Sequence, residues 1–161
     1  MVGTTRSDSD AALIKRRALP LKTKSQSPFD PESFLSHGMR GRAKAKYQKN
    51  ETIFRQGDSA DAVFYIIDGE CKATVVSEKG KEAVVAFHER GEFFGEGCLT
   101  GQPRRLGTVT AITMSEIMRF DKAAMVRALH DEPKFSQLFI SHLLARNVRV
   151  EQGRWGASCT C

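Results

Sequence analysis

Between residues 43 and 120 the chain is written in short segments, each cut off by a glycine or an Asx turn, and this punctuation restricts the fold more than any other feature. Ala43, Ala45 and Tyr47 alternate with Lys44, Lys46 and Gln48, the period of two that suits a half-buried strand. Ile53 and Phe54 open the next segment, which turns at Gln56-Gly57-Asp58. Ala62 to Ile67 is closed by Asp68-Gly69, a hairpin signal, with Cys71 to Val76 as the expected partner strand. Lys79-Gly80-Lys81 then turns into Glu82 to His88, and Thr108 to Thr113 with Glu116 to Phe120 make a last pair around Met114-Ser115. Many short antiparallel strands at near-regular spacing predict a mainly β protein, an antiparallel β-roll or jelly-roll.

Helical periodicity flanks this region. Pro31, after Asp30, suits a first helical position, and Pro31 to His37 would carry Phe34 and Leu35 inward before Gly38 ends the turn. Asp121 is read as an N-cap for Lys122 to Leu129, with Met125, Val126 and Leu129 on one face. A longer helix starts near Asp131-Glu132-Pro133 and runs through Phe135, Leu138, Phe139, His142, Leu143, Arg146 and Val150. Ile140 and Leu144 fall off the side that would cover a roll, so this helix is expected to face a second copy of the chain; the alternative is a monomer whose helix lies on its own roll.

The 161 residues, 40% of them hydrophobic, suffice for one core with tails. The expected organisation is a basic, disordered tail over 1–28, a β-roll with its N-terminal helix over 29–130, a C-terminal helix over 131–152 and an irregular tail over 153–161. Of the net charge of +6, residues 1–50 hold 11 Lys or Arg against 4 Asp or Glu, which leaves the remainder at −1. A near-neutral globular part offers no broad footprint for nucleic acid, and a DNA-binding role would rest on the basic tail alone. Cys71, Cys98, Cys159 and Cys161 lack the spacing of a zinc site or a disulfide framework, and neither a membrane span nor a signal peptide is indicated. A reducing cytoplasm is the expected compartment.

The chemistry concentrates in Phe93-Phe94-Gly95-Glu96-Gly97-Cys98-Leu99 and in Arg105-Leu106-Gly107-Thr108-Val109-Thr110-Ala111. A carboxylate accepts from a ribose hydroxyl, free amides at a tight turn cradle an anion, and a guanidinium pairs with phosphate. Those parts point to a small-molecule sensor rather than an enzyme. His37, His88, His130 and His142 are scattered, with no His-x-His pair and no Ser-His-Asp order. Glu96 is the candidate ribose acceptor, Arg105 the phosphate partner, and Arg104 the alternative should the loop be shifted by one residue. Gly95 and Gly97 would let the backbone approach the anion, with Cys98 beside them. Phe87, Phe93 and Phe94 are expected in core and hinge packing.

From Glu51 to about Gln152 the chain resembles the cyclic nucleotide-binding domain of the Crp/Fnr family of bacterial transcription regulators. The resemblance is carried by Ile53-Phe54-Arg55-Gln56-Gly57-Asp58, by Phe64-Tyr65-Ile66-Ile67-Asp68-Gly69-Glu70 and by the glycine and arginine stretch above. It implies a phosphate-binding cassette on Gly95, Glu96 and Arg105, with Leu106 where cAMP-binding members place a small Ser, Thr or Ala. It also implies a dimerisation helix on which the adenine-reading positions fall on Glu151 and Gln152. The implied effector is cAMP or cGMP, and no cofactor is required. Family members continue into a helix-turn-helix domain, whereas this chain runs on as Gly153-Arg154-Trp155 to Cys161, so DNA contact is expected only of full-length relatives. The alternative is a ligand-free structural or dimerisation domain, or a truncated regulator fragment, with a degenerate pocket.

Overall fold

The structure, a computed structural model, describes residues 31–151. The expected tail over 1–28, Gln152, and the tail over 153–161 with Cys159 and Cys161 lie outside the described residues. The elements are α1 (Pro31–His37), β1 (Arg42–Tyr47), β2 (Thr52–Phe54), β3 (Ala62–Asp68), β4 (Cys71–Val76), β5 (Glu82–His88), β6 (Phe93–Phe94), a 3-10 helix (Glu96–Thr100), β7 (Thr108–Ala111), β8 (Ser115–Asp121), α2 (Lys122–Asp131) and α3 (Pro133–Glu151).

Two four-stranded antiparallel sheets face each other, ordered β1-β8-β3-β6 and β2-β7-β4-β5. The pairs β1/β8, β2/β7, β3/β6 and β4/β5 show the logic: one long hairpin of eight strands, rolled over itself. This is the expected jelly roll, with a connectivity that corrects two expectations. β4 and β5 do form a hairpin through Gly80, but β3 and β4 are not paired, and neither are β7 and β8. Asp68-Gly69 and Thr113-Met114 are corners at which the chain leaves one sheet for the other. The two corners brace each other: the Glu70 carbonyl accepts from the Ile112 N–H (2.8 Å) and the Ser115 hydroxyl (3.3 Å), and the Glu70 N–H donates to Thr113 Oγ1 (3.0 Å). Gly69, at φ 93°, has no room for a side chain against Ser115 and the Met114 carbonyl.

β3 is buried from Ala62 to Ile67, which explains its unbroken apolar run. Its Ala62, Phe64 and Ile66 face the inter-sheet core with Cys71, Phe94, Val109, Ala111 and Ile117. The opposite face is covered by helices, where Phe93 packs against Tyr65, Phe135 and Phe139 with ring centroids 4.8, 6.1 and 5.2 Å away. α1 joins this layer through fully buried Leu35 and through Phe34, 5.1 Å from Phe135, and it ends as expected with the Gly38 N–H on the Phe34 carbonyl at 2.8 Å.

Other expectations need correction. β1 is not half-buried: it is an edge strand exposed up to Tyr47, its lysines blunting the sheet edge. Asp121 makes no side-chain cap; its carboxylate takes Arg119 instead. Phe87 is 65% exposed, because the inward position at the end of β5 goes to His88. Val126 is exposed while Met125 is fully buried. The two-residue strand β6 is too short to show periodicity and was not expected as a strand.

Replacing Gly69 with alanine is expected to cost about 2 kcal/mol or more, since it combines a positive-φ penalty with an overlap against backbone. Denaturant unfolding of Gly69→Ala beside Gly80→Ala, whose φ is also positive but whose Cβ position is open, separates the two contributions.

Candidate functional site

Arg105 is an arginine in the interior of a β-roll, only 6% exposed. It follows a chain reversal that is itself pinned, the Arg105 N–H bonding the Asp58 carbonyl and the Gly57 N–H bonding the Arg105 carbonyl, both at 2.8 Å. The guanidinium enters beneath the 3-10 helix. Nη1 donates to the Gly95 carbonyl at 2.9 Å and Nη2 to the Ala62 carbonyl at 2.7 Å, while the plane lies over the Phe54 ring at 4.3 Å and 5.4 Å from that of Phe64. Burial lowers its pKa from the ordinary value, opposed by Cys98 and Asp61, and an arginine so held stays charged. The one carboxylate within ion-pair reach among the described residues, that of Asp61, is 65% exposed and 4.0 Å from Nη2, so two carbonyls, a ring face and a distant acid are weak return for a desolvated cation. Nε has no partner among the described residues.

Gly95, at φ 76°, is the residue before the 3-10 helix, and a Cβ there would meet Arg105 Nη1 at 2.8 Å. A side chain at this position would therefore expel the guanidinium. Gly97 is different: a Cβ there meets nothing within 4 Å, so the packing gives no reason for glycine. The space it leaves belongs to a cavity of about 280 Å³ that Gly95, Glu96, Gly97, Cys98, Arg104, Arg105 and Leu106 all line. The structure thus brings together every described candidate. Leu106 is 67% exposed and does not plug the cavity. Arg104 is exposed, reaching the Gly57 carbonyl at 3.4 Å, so the two arginines divide into one locked inside and one at the surface.

Glu96 meets a residue that sequence reasoning did not connect with it. Arg146 of α3 reaches the cavity and donates to Glu96 Oε1 at 2.6 Å, both side chains about a quarter to a third exposed. One turn earlier on α3, His142 Nε2 accepts from the Phe93 N–H at 3.3 Å, and its ring stands edge-on to Phe93 at 5.7 Å. The i, i+4 spacing of His142 and Arg146 within an apolar stripe was the available signal. The cavity also takes in Phe54 and His88, which carry no such hint in their spacing.

The two described thiols are enclosed. Burial pushes Cys71 up to about 11 and raises Cys98 as well, though Arg105 and Lys122 oppose it there. Cys98 Sγ points at the Ala62 carbonyl, 3.5 Å away. A neutral-pH alkylating reagent is therefore expected to leave Cys71 and Cys98 unmodified in the folded chain and to label both in denaturant, as peptide mass mapping would read. Arg105→Leu removes both carbonyl bonds and is expected to lower stability by about 2 kcal/mol, measured by denaturant unfolding.

No helix among the described residues is long and apolar enough to cross a membrane. Residues 44–132 match the family of the cyclic nucleotide-binding domain. Over 98 residues the chain is 36% identical to an uncharacterized protein of Mycobacterium tuberculosis, covering 61% of this chain and 18% of that protein. It is 26% identical over 112 residues to the cAMP-activated global transcriptional regulator CRP of Salmonella typhimurium, covering 69% of this chain and 53% of the regulator. The fold is shared with the catabolite activator protein of Thermus thermophilus, with a TM-score of 0.63 at 23% identity over 78% of this chain and 58% of that one. The chain thus spans about half the length of the regulators it matches, and less of the mycobacterial protein. With its jelly roll, its glycine-bounded 3-10 helix and its matching stretch covering more than half of the sequence, the chain belongs to the cyclic nucleotide-binding domain family and has regulators of the Crp/Fnr type as homologues.

Proposed function

We propose that this chain is the sensor part of a Crp/Fnr-type regulator, which binds a cyclic nucleotide, cAMP or cGMP, and passes the binding event to α3 without catalysing a reaction. The observation that carries this reading is the buried Arg105, held at both terminal nitrogens with Nε unpaired among the described residues, beside an acid and a glycine whose open face is the cavity. Asp61, exposed and 4.0 Å from Nη2, is a distant charge partner, and a bound anion would supply a closer one. Glu96 gives Oε1 to Arg146, which leaves Oε2 to accept a sugar hydroxyl. Arg104, exposed at the cavity, is the second cation within reach of a phosphate.

The route to α3 is short. Phe93 and Phe94 form β6, immediately before Gly95 and Glu96, and Phe93 is held by Phe135, Phe139 and His142 of α3. A ligand that moves Glu96 acts on α3 directly through Arg146 and through the β6 backbone. Ile140 and Leu144 are 55% and 58% exposed on that helix, the apolar surface through which two chains would pair. Ligand would then shift the population of two arrangements of the paired helices. DNA binding belongs to the part of such regulators beyond the family domain.

The rival reading, a ligand-free dimerisation scaffold, is favoured by one observation: the guanidinium of Arg105 and the carboxylate of Glu96 already have partners within the chain. Titration calorimetry decides between them. The sensor is expected to bind cAMP or cGMP at one site per chain, with Glu96→Gln weakening binding at least tenfold and Gly97→Val abolishing it while the unliganded melting temperature changes little. Absence of heat with both nucleotides would establish the scaffold. Sedimentation is expected to show a dimer that the double substitution Ile140→Glu, Leu144→Glu converts to monomer.

A further inference from the structure

β6 is the last strand of its sheet, so it finds a strand partner on one side only. Phe93 is buried, and a buried backbone N–H on such an edge needs an acceptor from elsewhere. α3 supplies it. The Phe93 N–H donates to His142 Nε2 at 3.3 Å, and the ring stands edge-on to that of Phe93 at 5.7 Å and 77°.

This bond fixes the charge state of the ring. A backbone amide only donates, so Nε2 must present its lone pair, and the proton of the neutral ring sits on Nδ1. An imidazolium carries hydrogen on both nitrogens and would set one N–H against another. The bond is therefore made by the neutral ring and lost when the ring takes up a proton. Imidazole is the side chain whose ordinary titration falls between about pH 5 and 8, and His142 is half-buried, within reach of solvent protons. The other histidines make no such join between a helix and a strand: His37 bonds within α1, His130 pairs with its neighbour Asp131, and His88 Nδ1 faces Glu92 of the following turn at 3.7 Å.

The charged groups around this joint are of both signs. On the β6 side stand Glu89, Arg90 and Glu92 before Phe93 and Glu96 after it; the Glu92 carboxylate accepts the Glu89 N–H at 3.1 Å, and Glu96 takes Arg146 at 2.6 Å. α1, packed on α3 through Phe34, adds Glu32 and His37. α2 adds Lys122, Arg127, His130 and Asp131, and α3 itself Lys134 and Arg146. With the charge of Arg146, one turn along, already offset by Glu96, what acid changes at His142 is first of all the hydrogen-bonding role of the ring. We propose that His142 is a proton-sensitive latch between α3 and β6: the neutral ring holds the helix to the strand that leads into Gly95 and Glu96, and the protonated ring releases it. The latch stands on the geometry alone, while its consequence rests on the cyclic nucleotide reading above. Coupling from the nucleotide site to α3 is full above the titration of His142 and weakens as the pH falls through it, with Arg105 and its carbonyl bonds left in place.

Amide exchange of the full chain, followed by NMR from about pH 8 to 5 and corrected for intrinsic rates, tests the latch without any nucleotide. The Phe93 amide is expected to lose about tenfold in protection on acidification, in step with the His142 ring resonances. Ile66, whose N–H bonds the Glu92 carbonyl at 3.0 Å, should keep its protection and so reports on the fold. His142→Gln, which keeps an acceptor and does not titrate, is expected to hold Phe93 protected throughout. Phe93 protection that ignores the His142 titration, or that still falls with pH in a folded His142→Gln, would overturn the proposal. Should the glutamine variant not fold, the wild-type comparison of Phe93 with Ile66 decides alone. In a second arm, the methyl shifts that cAMP or cGMP induces at Ile140 and Leu144 are expected to be smaller in acid, and undiminished shifts would overturn the effect on coupling. Failure of both nucleotides to bind would remove the sensor reading, and the amide result would then support or overturn the latch by itself.

Discussion

A guanidinium inside a β-roll is the constraint around which the rest of this molecule is arranged. Desolvating a cation costs several kcal/mol, and Arg105 persists inside because the surrounding backbone turns carbonyls toward it, with the Asp61 carboxylate 4.0 Å from Nη2. Those carbonyls belong to Ala62 at the start of β3 and to Gly95 at the start of the 3-10 helix. One side chain thereby ties the central strand of one sheet to the turn that carries Glu96. Gly95 must lack a Cβ for the clamp to close, and Phe54 and Phe64 supply ring faces on which the cation rests. The cavity is what remains when these demands are met on one side of the roll.

The second arrangement of consequence is the contact between that turn and α3. Phe93 is a core residue of the helical layer, while Phe94, its neighbour, is a core residue of the inter-sheet layer. Strand alternation across two residues therefore links the two cores directly, and Glu96 follows two positions later. A displacement of a few tenths of an ångström at Glu96 has no soft loop in which to dissipate before it meets close-packed rings. Arg146 and His142 add polar ties along the same line. The site and the helix form one mechanical unit for this reason.

Much of the fold was legible in the chain. The strand segments were, because glycine at positive φ and Asx turns cut them sharply: Cys71–Val76 and Glu82–His88 have the bounds that the pattern predicts. Pairing was less so. Asp68-Gly69 has the composition of a hairpin turn, and nothing local distinguishes a hairpin from a corner at which the chain changes sheets. That choice is made by Glu70 bonding to Ile112, Thr113 and Ser115, more than forty residues further along the chain. That Gly95 to Cys98 and Arg104 to Leu106 line one cavity was foreshadowed by their closeness in sequence. Arg146 was not tied to Glu96, since the partner of a helix residue depends on how the helix lies on the roll.

By itself the sequence determined which segments are strands, which residues are hydrogen-bonding groups suited to a sugar and an anion, and that both belong to one small core. Local sterics and side-chain chemistry suffice for that. The tertiary structure decided which of two adjacent arginines is inside, why Phe87 is out and His88 in, and which helix residue faces Glu96. In β5 the run from Ala83 to Phe87 is apolar at every position, so period-two patterning could not choose a face. Register across the sheet made the choice, because pairing with β4 places His88 opposite Cys71, on the side where the two sheets meet.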